Sequence, residues 1–198
     1  MHPLIIVNRA GALLQEPVLS SLDSGTSKFA TSVQNLFQTY IDSVITDTTW
    51  ACATKRFALT ADTTSPGYGF TYQFSLPSDL LRFRYLVDSN GDPVKDGYQV
   101  CGDKLFANVK SLCLYYVYRV SKNDTINLRD YVCTVIANYI ASQLCMQVTG
   151  DSTRAQVLDQ QYRDSLALAK TYNAQEAPFL QLSSDTYIQA HNNQIIPY

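Results

Sequence analysis

The side chains that could carry out acid–base chemistry are few and scattered. His2 and His191 are the only histidines, and we expect both to lie in flexible segments. A serine or cysteine nucleophile needs a base held at hydrogen-bond distance on a rigid element. The histidines therefore predict no Ser–His or Cys–His catalytic site.

Carboxylates are more numerous, but several of them fall in predicted turns. Asp88, Asp92, Asp96 and Asp103 stand near Gly, Asn and Pro residues, where Asp accepts local backbone hydrogen bonds. The string DSNGDP has some of the composition of a calcium loop, but it lacks the DxDxDG ligand order and the terminal Glu. We therefore expect these carboxylates to support turns and to bind no metal ion.

Nucleotide and metal-thiolate chemistry are not predicted either. No GxxxxGK[ST] or GxGxxG pattern occurs that would cradle a phosphate. The cysteines are scattered singly, with no CxxC pair and no histidine at ligand spacing: Cys52, Cys101, Cys113, Cys133 and Cys145. Several lie inside predicted strands and helices, which favours reduced thiols that pack as small apolar residues in a reducing compartment. We expect no cofactor.

Arg82 and Arg84 are the basic residues whose spacing is most suggestive. They lie in the string LLRFRYLV, and strand side chains alternate, so one face of a strand would carry both guanidinium groups. Two interpretations are open. The pair forms a solvent-facing edge of a sheet, or it makes a charge-complementary contact with a partner subunit.

Composition indicates a globular protein. The chain has 198 residues, 46% of them hydrophobic, and a formal net charge of −2. That length fits one ordinary domain, or a domain with an arm. The charge argues against a surface built to bind polyanions, although a ring of subunits could still gather a few basic residues around a lumen. We expect a protein made in a cytoplasm, because no stretch approaches the apolar length of a membrane span.

Three stretches show the periodicity of amphipathic helices. They are residues 128–148, 28–47 and 152–173, and a shorter helix is predicted at 4–14. Asn127 is the predicted N-cap of the first, and Thr149–Gly150–Asp151 its C-cap and turn. The third helix should pack antiparallel to the first. Its predicted inward residues are Val157, Leu158, Tyr162, Leu166, Ala169 and Tyr172, with Arg154, Asp159, Arg163, Asp164 and Lys170 on a solvated face.

The middle of the chain changes to short, turn-separated segments rich in aromatic and β-branched residues. Strands are predicted at 55–60, 70–76, 80–87, 97–101, 104–107 and 112–120. Gly102–Asp103 is the predicted tip of a tight hairpin. Trp50, the only tryptophan, is interpreted as a core plug between a helix and the sheet.

These elements predict an α+β fold: a bundle of long antiparallel helices, an inserted small antiparallel β-region and an extended C-terminal arm. Residues 1–50 and 121–177 would form the helical core, 51–120 the β-rich insertion and 178–198 the arm. The arm follows Pro178 and spaces its apolar residues as anchors for a neighbouring subunit. With Arg82 and Arg84, the predicted partner-binding residues are Phe179, Leu182, Tyr187, Ile188, Ile195, Ile196 and Tyr198.

The order of motifs resembles a known family. The opening IIVNRAGALLQEPVLSSLDSG is similar to the N-terminal motif of the tail tubular protein A family of short-tailed bacteriophages. A helix ending near Trp50, then FSLPSDLLRF, VCGDKLFAN and LYYVYRV, and two long helices continue the resemblance over residues 4–175. The matching positions of the opening are Asn8, Gly11, Glu16, Pro17, Val18, Leu22 and Asp23.

This resemblance implies a structural virion protein. Members of that family are head-to-tail adaptors, or connectors, which form rings that are usually dodecameric, dock under the portal protein and extend the DNA channel toward the tail. The implied partners are further copies of the chain, the portal, tail nozzle or tail fibre proteins, and genomic DNA that passes through the lumen without sequence-specific binding. No membrane is implied. The implied location is the head–tail neck of the virion, with host cytoplasm during assembly.

Two alternatives belong to other classes of function. One is a virion-associated hydrolase acting on cell wall or nucleic acid, with carboxylates of the β-region, among them Asp79, Asp88, Asp92 and Asp103. The other is a head-completion or stopper protein of a long-tailed phage, which would share the helical core. The first interpretation, a protein that is not an enzyme, is the one that we carry forward.

Overall fold

The protein has a mixed α+β fold. The computed structural model describes residues 2–23, 25–67 and 69–176. In this part of the chain the helices are α1 (Pro3–Leu14), α2 (Lys28–Asp47), α3 (Asp130–Thr149) and α4 (Ser152–Glu176). The strands are β1 (Thr54–Leu59), β2 (Tyr72–Ser75), β3 (Leu80–Val87), β4 (Pro93–Val94), β5 (Tyr98–Cys101), β6 (Lys104–Ala107) and β7 (Leu112–Tyr118). We call the helices the helical body and the strands the sheet region.

The helix ends follow their local chemistry, with two departures from prediction. The flexible segment predicted around His2 is instead the start of α1, and His2 Nδ1 accepts a hydrogen bond from Leu4 N. Asn127 is not the N-cap of α3. A short 3-10 helix ends at Asn127, and Arg129 takes the cap position without a side-chain hydrogen bond. Gly150 ends α3 in the left-handed conformation, as predicted.

Helix α3 is the centre of the helical body. It packs against α1, α2 and α4, and Ile136 and Ile140 are fully buried. Arg129 at its start pairs with Glu176 at the end of α4, with 3.2 Å between Nε and Oε2, so these two helices are antiparallel. Aromatic rings also connect three elements across the body, in the series Tyr40, Tyr139 and Tyr162 and in the series Trp50, Tyr131 and Tyr172.

Helix α4 buries less than its sequence predicts. Of the six predicted inward residues, only Leu158 and Ala169 are fully buried, while Val157 and Tyr172 are 61% and 44% exposed. The reason is that α4 packs mainly on one neighbour, α3, which covers only a narrow stripe. The solvated position predicted for Arg154 is also wrong, because its Nη2 donates to Leu13 O at 2.6 Å.

Trp50 fills the core where α2 ends. The ring is fully buried, and its Nε1 donates to Val44 O at 2.9 Å, which confirms the predicted core plug. The segment that connects α2 to β1 is also bound by Asn173 of α4, through both ends of its amide. Its Oδ1 accepts from Ala51 N and its Nδ2 donates to Thr49 O, each at 2.8 Å. The connection into β1 is therefore attached to the last turns of α4.

The sheet region consists of two antiparallel sheets. One has the strand order β1-β7-β3-β4 and the other the order β2-β6-β5. Their apolar faces share one core, in which Phe74, Leu86, Leu105 and Leu114 are fully buried. The hairpin predicted at 102–103 is confirmed by the β5–β6 pairing. Strand β4 falls where the sequence predicts only a turn.

Strand β7 joins the two regions. Val117 belongs to the core of the helical body, while the preceding Tyr116 belongs to the core of the sheet region. Beyond the strand, Val120 O accepts a hydrogen bond from Gln38 of α2 at 2.9 Å. The two regions are thus attached through the backbone of a shared strand and not only by a linker.

Helix α3 also reaches the length and hydropathy of a membrane span, contrary to the expectation that no stretch does so. The most apolar window of Asp130–Thr149 has a mean hydropathy of 1.2, and 56% of that window is buried. Core helices of water-soluble proteins meet the same criterion, and burial by α1, α2 and α4 accounts for the apolar composition here.

Candidate functional site

Arg82 and Arg84 do not form the predicted pair. The register of β3 against β7 shifts between Leu80 and Arg82 and again between Phe83 and Tyr85. Such bulges interrupt the alternation of side chains on which the prediction depends. Arg82 donates to Thr46 O and to Thr49 Oγ1 at the end of α2. Arg84 is exposed, and its guanidinium carbon lies 5.5 Å from the ring centroid of Tyr85.

The other predicted partner-binding residues lie outside the described residues. They are Phe179, Leu182, Tyr187, Ile188, Ile195, Ile196 and Tyr198. The described chain ends at Glu176, whose carboxylate accepts hydrogen bonds from Arg129 and from the Tyr131 hydroxyl, each at 3.2 Å. Burial and this hydrogen bond raise the pKa of Tyr131 to about 12. Glu176, the last described residue, therefore lies beside the start of α3.

Asp79 is the predicted carboxylate with the most extensive contacts. It accepts hydrogen bonds from Lys55 Nζ and from the Tyr116 hydroxyl, each at 2.8 Å. Burial alone would raise the pKa of Asp79, but these two donors outweigh burial and hold the pKa below its usual value. Burial, reinforced by this carboxylate, raises the pKa of Tyr116 well above its usual value. Asp79 is thus a fixed anion that holds β1, β3 and β7 together.

The remaining predicted carboxylates do not converge with it. Asp88 accepts backbone hydrogen bonds from Asn90 and Asp92 and shapes the turn after β3, as predicted. Asp79 and Asp88 stand at opposite ends of that strand, roughly 25 Å apart at the rise of a β-strand. Two carboxylates that act on one glycosidic bond lie within about 10 Å of each other. Within residues 2–23, 25–67 and 69–176, no group of three or more His, Cys, Asp or Glu side chains could hold a metal ion.

A polar network that the sequence did not indicate lies on the three-stranded sheet. Asp62 Oδ2 accepts from Lys104 Nζ at 2.8 Å and from Gln73 Nε2 at 3.1 Å. Ser75 Oγ lies 2.8 Å from Lys104 Nζ and 3.0 Å from Asp62 Oδ1. Asp62 and Lys104 are separated by 42 residues, so only the fold brings them together.

This network has a Ser–Lys pair but not the charge state that such a pair needs for catalysis. A lysine activates a serine only when the amine is neutral. The hydrogen bond from Asp62 raises the pKa of Lys104, and the bond from Lys104 lowers the pKa of Asp62 to about 2. Lys104 therefore stays protonated, and Ser75 is not activated. The network fastens the segment at Asp62 onto β2 and β6.

A shallow cavity of about 460 Å³ lies beside this network. Its described lining offers a hydroxyl, a thiol, amides, backbone and aromatic faces but no carboxylate, imidazole or amine: Ser65, Pro66, Gly67, Gly69, Phe70, Gln73, Gln99, Cys101 and Phe106. Phe70 stacks on Phe106 at 6.4 Å between ring centroids, so one wall is aromatic. The described lining therefore offers surface for contact, and none of its side chains is a carboxylate, an imidazole or an amine.

The cysteines divide into buried and exposed thiols. Cys133 and Cys145 are fully buried in the helical body, as predicted for apolar packing. Burial raises the pKa of Cys133 to about 11, which keeps that thiol protonated and unreactive. Cys101 is exposed on β5. All five thiols are free.

A row of stacked side chains crosses the outer face of the four-stranded sheet. Arg56 of β1, Tyr115 of β7 and Tyr85 of β3 occupy one cross-strand register. The two tyrosine rings stack with 4.5 Å between centroids and 18° between planes. The Arg56 guanidinium lies 5.8 Å from the Tyr115 centroid and donates to its hydroxyl at 3.2 Å, and Arg84 covers Tyr85. We call these four residues the Arg–Tyr row.

Large apolar side chains are exposed on the helical body as well. Val157, Leu168 and Tyr172 of α4 are 61%, 54% and 44% exposed. At 3.6 residues per turn, positions 157, 168 and 172 lie within about 60° of one another around the helix axis. We call these three residues the α4 stripe. It is a linear apolar surface that the subunit itself leaves uncovered.

The N-terminal motif residues have structural roles. Asn8 binds the backbone of Leu19 through both ends of its amide, with 2.9 Å to the nitrogen and 3.1 Å to the oxygen. A side chain at Gly11 would meet Phe29, because a Cβ there would lie 3.2 Å from Phe29 Cε1. Val18, within the loop that Asn8 holds, is 81% exposed. The motif thus presents an apolar residue on an anchored loop.

These surfaces, and not a catalytic constellation, are what the described residues offer as a site. The Arg–Tyr row was missed because Arg56, Tyr85 and Tyr115 come from three strands whose pairing no local pattern specifies. The only signal was the run of aromatic and basic residues in three separate strings. The chain matches no protein-family model and no curated protein.

Proposed function

We propose that this protein is a structural virion protein, the subunit of a head-to-tail adaptor ring that docks under a phage portal and extends the DNA channel to the tail. In this proposal the helices form a bundle, and residues 178–198 form an arm that lies on a neighbouring subunit or on the portal. The location is the head–tail neck of the virion. The proposal combines the ordered family resemblance with the surfaces of the subunit.

The observation that carries it is the α4 stripe. A helix of 25 residues that fully buries only Leu158 and Ala169 gains little from its own subunit. Exposed apolar residues in a line along such a helix are typical of surfaces that pack against another chain. In a ring, every subunit has a neighbour on each side to cover such a surface.

The electrostatics supports a channel that DNA passes through. Each subunit carries a formal net charge of −2, and four of its eight arginines are paired with a carboxylate of the same subunit. A lumen with few free cations forms few phosphate contacts and releases few counterions, so it holds DNA weakly. The proposed function needs a ring that guides DNA without gripping it.

No specific observation favours the two alternatives. A hydrolase with the β-region carboxylates would need them near one another, whereas Asp79 and Asp88 lie at opposite ends of β3 and Lys104 is held protonated. A stopper of a long-tailed phage would use a similar ring. It would differ in the protein that lies below the ring, which an isolated subunit does not reveal.

The test is electron microscopy of the purified chain, alone and mixed with the portal of the same phage. We expect a closed ring coaxial with the portal. A chain that stays monomeric in the presence of portal and is absent from purified virions would refute the proposal.

The α4 stripe gives a sharper version of this test. Val157→Asp together with Leu168→Asp should leave the subunit folded, since both positions are exposed, but should abolish the ring. Gln156→Asp with Ala167→Asp is the matched control, because these exposed positions on the same helix lie outside the stripe. Rings in the stripe variant that are indistinguishable from wild type would show that α4 faces solvent in the assembly.

The C-terminal arm is tested by removing residues 178–198. We expect the circular dichroism spectrum of the described fold to persist. On dilution, the ring or its portal complex should dissociate at a higher protein concentration than the wild-type assembly does. Unchanged assembly would show that this segment contributes nothing to docking.

A further inference from the structure

Among the described residues, the two arginines of the Arg–Tyr row are the ones that donate to no carboxylate and no backbone carbonyl. The chain has eight arginines, all within the described residues. Six of them donate to a carboxylate or a backbone carbonyl: Arg9, Arg82, Arg119, Arg129, Arg154 and Arg163. The other two are Arg56 and Arg84, and they bracket the same pair of tyrosines. The unmatched charge of the arginines is therefore concentrated on one face of one sheet.

The stacking prepares these two side chains to bind an oxyanion. A guanidinium that lies over an aromatic ring uses its face for the ring and leaves its N–H groups at the edge for an acceptor. The Tyr115 and Tyr85 rings in turn support each other at 4.5 Å. Less side-chain entropy is lost when a carboxylate binds to arginines held in this way.

The same sheet has uncovered edges of different charge. Strand β1 is one edge, and its residues 55–58 are exposed on both faces. Strand β4 is the other edge, and the turn around it, residues 88–96, has three aspartates and one lysine. Asp88 is engaged by the turn itself, whereas Asp92 and Asp96 are exposed and in no ion pair among the described residues.

A nucleic acid fits this face less well than a carboxylate does. Bases bind such sheets by stacking on free aromatic faces, but here the outer faces of both rings are covered by arginine. Lys55, the other cation of β1, is held by Asp79 at 2.8 Å. Two arginines alone form a poor track for a phosphate backbone.

We infer that the Arg–Tyr row of one copy binds the acidic turn, residues 88–96, of the adjacent copy, with Arg56 and Arg84 pairing with Asp92 and Asp96. The inference rests on the proposed ring and names one of its contacts. The contact is heterologous, since it joins the outer face of the sheet in one copy to the turn around the edge strand β4 in the next. Repetition of a heterologous contact closes into a ring when the rotation between copies permits it.

Reciprocal charge reversal in the full chain tests this contact. One variant carries Arg56→Glu and Arg84→Glu, and the other carries Asp92→Lys and Asp96→Lys. The matched control is Lys28→Glu with Lys122→Glu, which makes the same charge change as the first variant at exposed positions of the helical region. Circular dichroism establishes that each variant is folded. Sedimentation velocity, with and without portal, measures association.

Each variant alone should lose affinity for itself on the order of tenfold or more, while the control associates as the wild type does. An equimolar mixture of the two variants should associate again. In that mixture the native face meets the native turn at one contact, and the reversed face meets the reversed turn at the next. A merely structural effect of either substitution would not be repaired by mixing.

The outcomes separate this inference from the proposed function. If the wild type and both variants form rings, the inferred contact is overturned and the proposed ring is retained. If wild type fails to assemble even with portal, the proposed function and this contact fail together. If the arginine variant assembles normally but loses affinity for a fluorescent DNA duplex, the row binds nucleic acid and the inference is overturned.

Discussion

The helical body and the sheet region are stabilised by different means. The body surrounds α3 with three other helices and buries apolar side chains along its whole length. The sheet region has a smaller core, and ion pairs of Asp62 with Lys104 and of Asp79 with Lys55 hold its strands at the margin of that core. The difference indicates that the helices supply most of the folding free energy, whereas the sheets hold charges and rings in fixed positions on the surface.

The largest expected effect tests the apolar core of the body. Ile140→Asp places a charge at a fully buried position of α3 with no cation to pair with it. We expect a loss of about 4 kcal/mol or more in the free energy of unfolding, enough to unfold the subunit. Val157→Asp on α4 is the control and should cost less than about 0.5 kcal/mol. Urea titration followed by circular dichroism measures both, and a folded Ile140→Asp variant would contradict the central place of α3.

The next prediction asks whether the two regions unfold together. Phe74→Ala removes a fully buried ring from the core shared by the sheets and should cost about 3 to 4 kcal/mol. Trp50, the only tryptophan, lies in the helical body and reports on that region alone. Because β7 contributes to both cores, we expect Trp50 fluorescence and circular dichroism to show one shared transition at lower urea. A fluorescence transition that stays at the wild-type midpoint would show that the regions are energetically separate.

A smaller effect is expected at the end of α2. Trp50→Phe leaves Val44 O without its side-chain donor and creates a void, at a cost of about 2 kcal/mol. Phe57→Ala is a useful contrast, because Phe57 is 44% exposed on the edge strand β1. That variant should change stability by less than about 1 kcal/mol. Equal costs for the two aromatic residues would remove the distinction between the body and the sheet edge.

The smallest effect concerns pH and belongs to the sheet region. The pKa of Asp62 is lowered to about 2, so its stabilising contribution is present above the usual carboxylate pKa near 4. It is lost as the pH falls from about 4 toward 2. Asp62→Asn should remove this part of the acid dependence of the urea midpoint and leave the rest. If the urea midpoint of this variant fell between about pH 4 and pH 2 as it does in the wild type, the pair with Lys104 would not stabilise the sheet.

Local patterns in the sequence predict the elements of this fold better than they predict its surfaces. The bounds of α2, β3 and β6 agree with prediction, because helical periodicity and strand alternation are properties of neighbouring residues. Two exceptions are the cap of α3, where a short 3-10 helix intervenes, and β4, which lies within a turn signal.

The site depends on pairings that are distant in sequence. The bulge at Arg84 interrupts the alternation that would place its side chain on the same face as that of Arg82. No residue type in this strand predicts the bulge. The Arg–Tyr row needs the register of β1 and β3 on β7, and the network of Asp62 needs a contact across 42 residues. Periodicity identifies strands but does not specify which strand lies beside which.

The amide of Asn173 has a mechanical consequence. It holds α4 to Thr49 and Ala51, three residues before the strand that carries Arg56 begins. A partner that pulls on the chain beyond Glu176 would apply force to the hydrogen bonds of Asn173, three residues before the end of α4. These bonds would transmit the force to β1 before it reached the interior of the helices. Traction on one end of the subunit would thus be felt at the sheet edge that we infer to contact the adjacent copy.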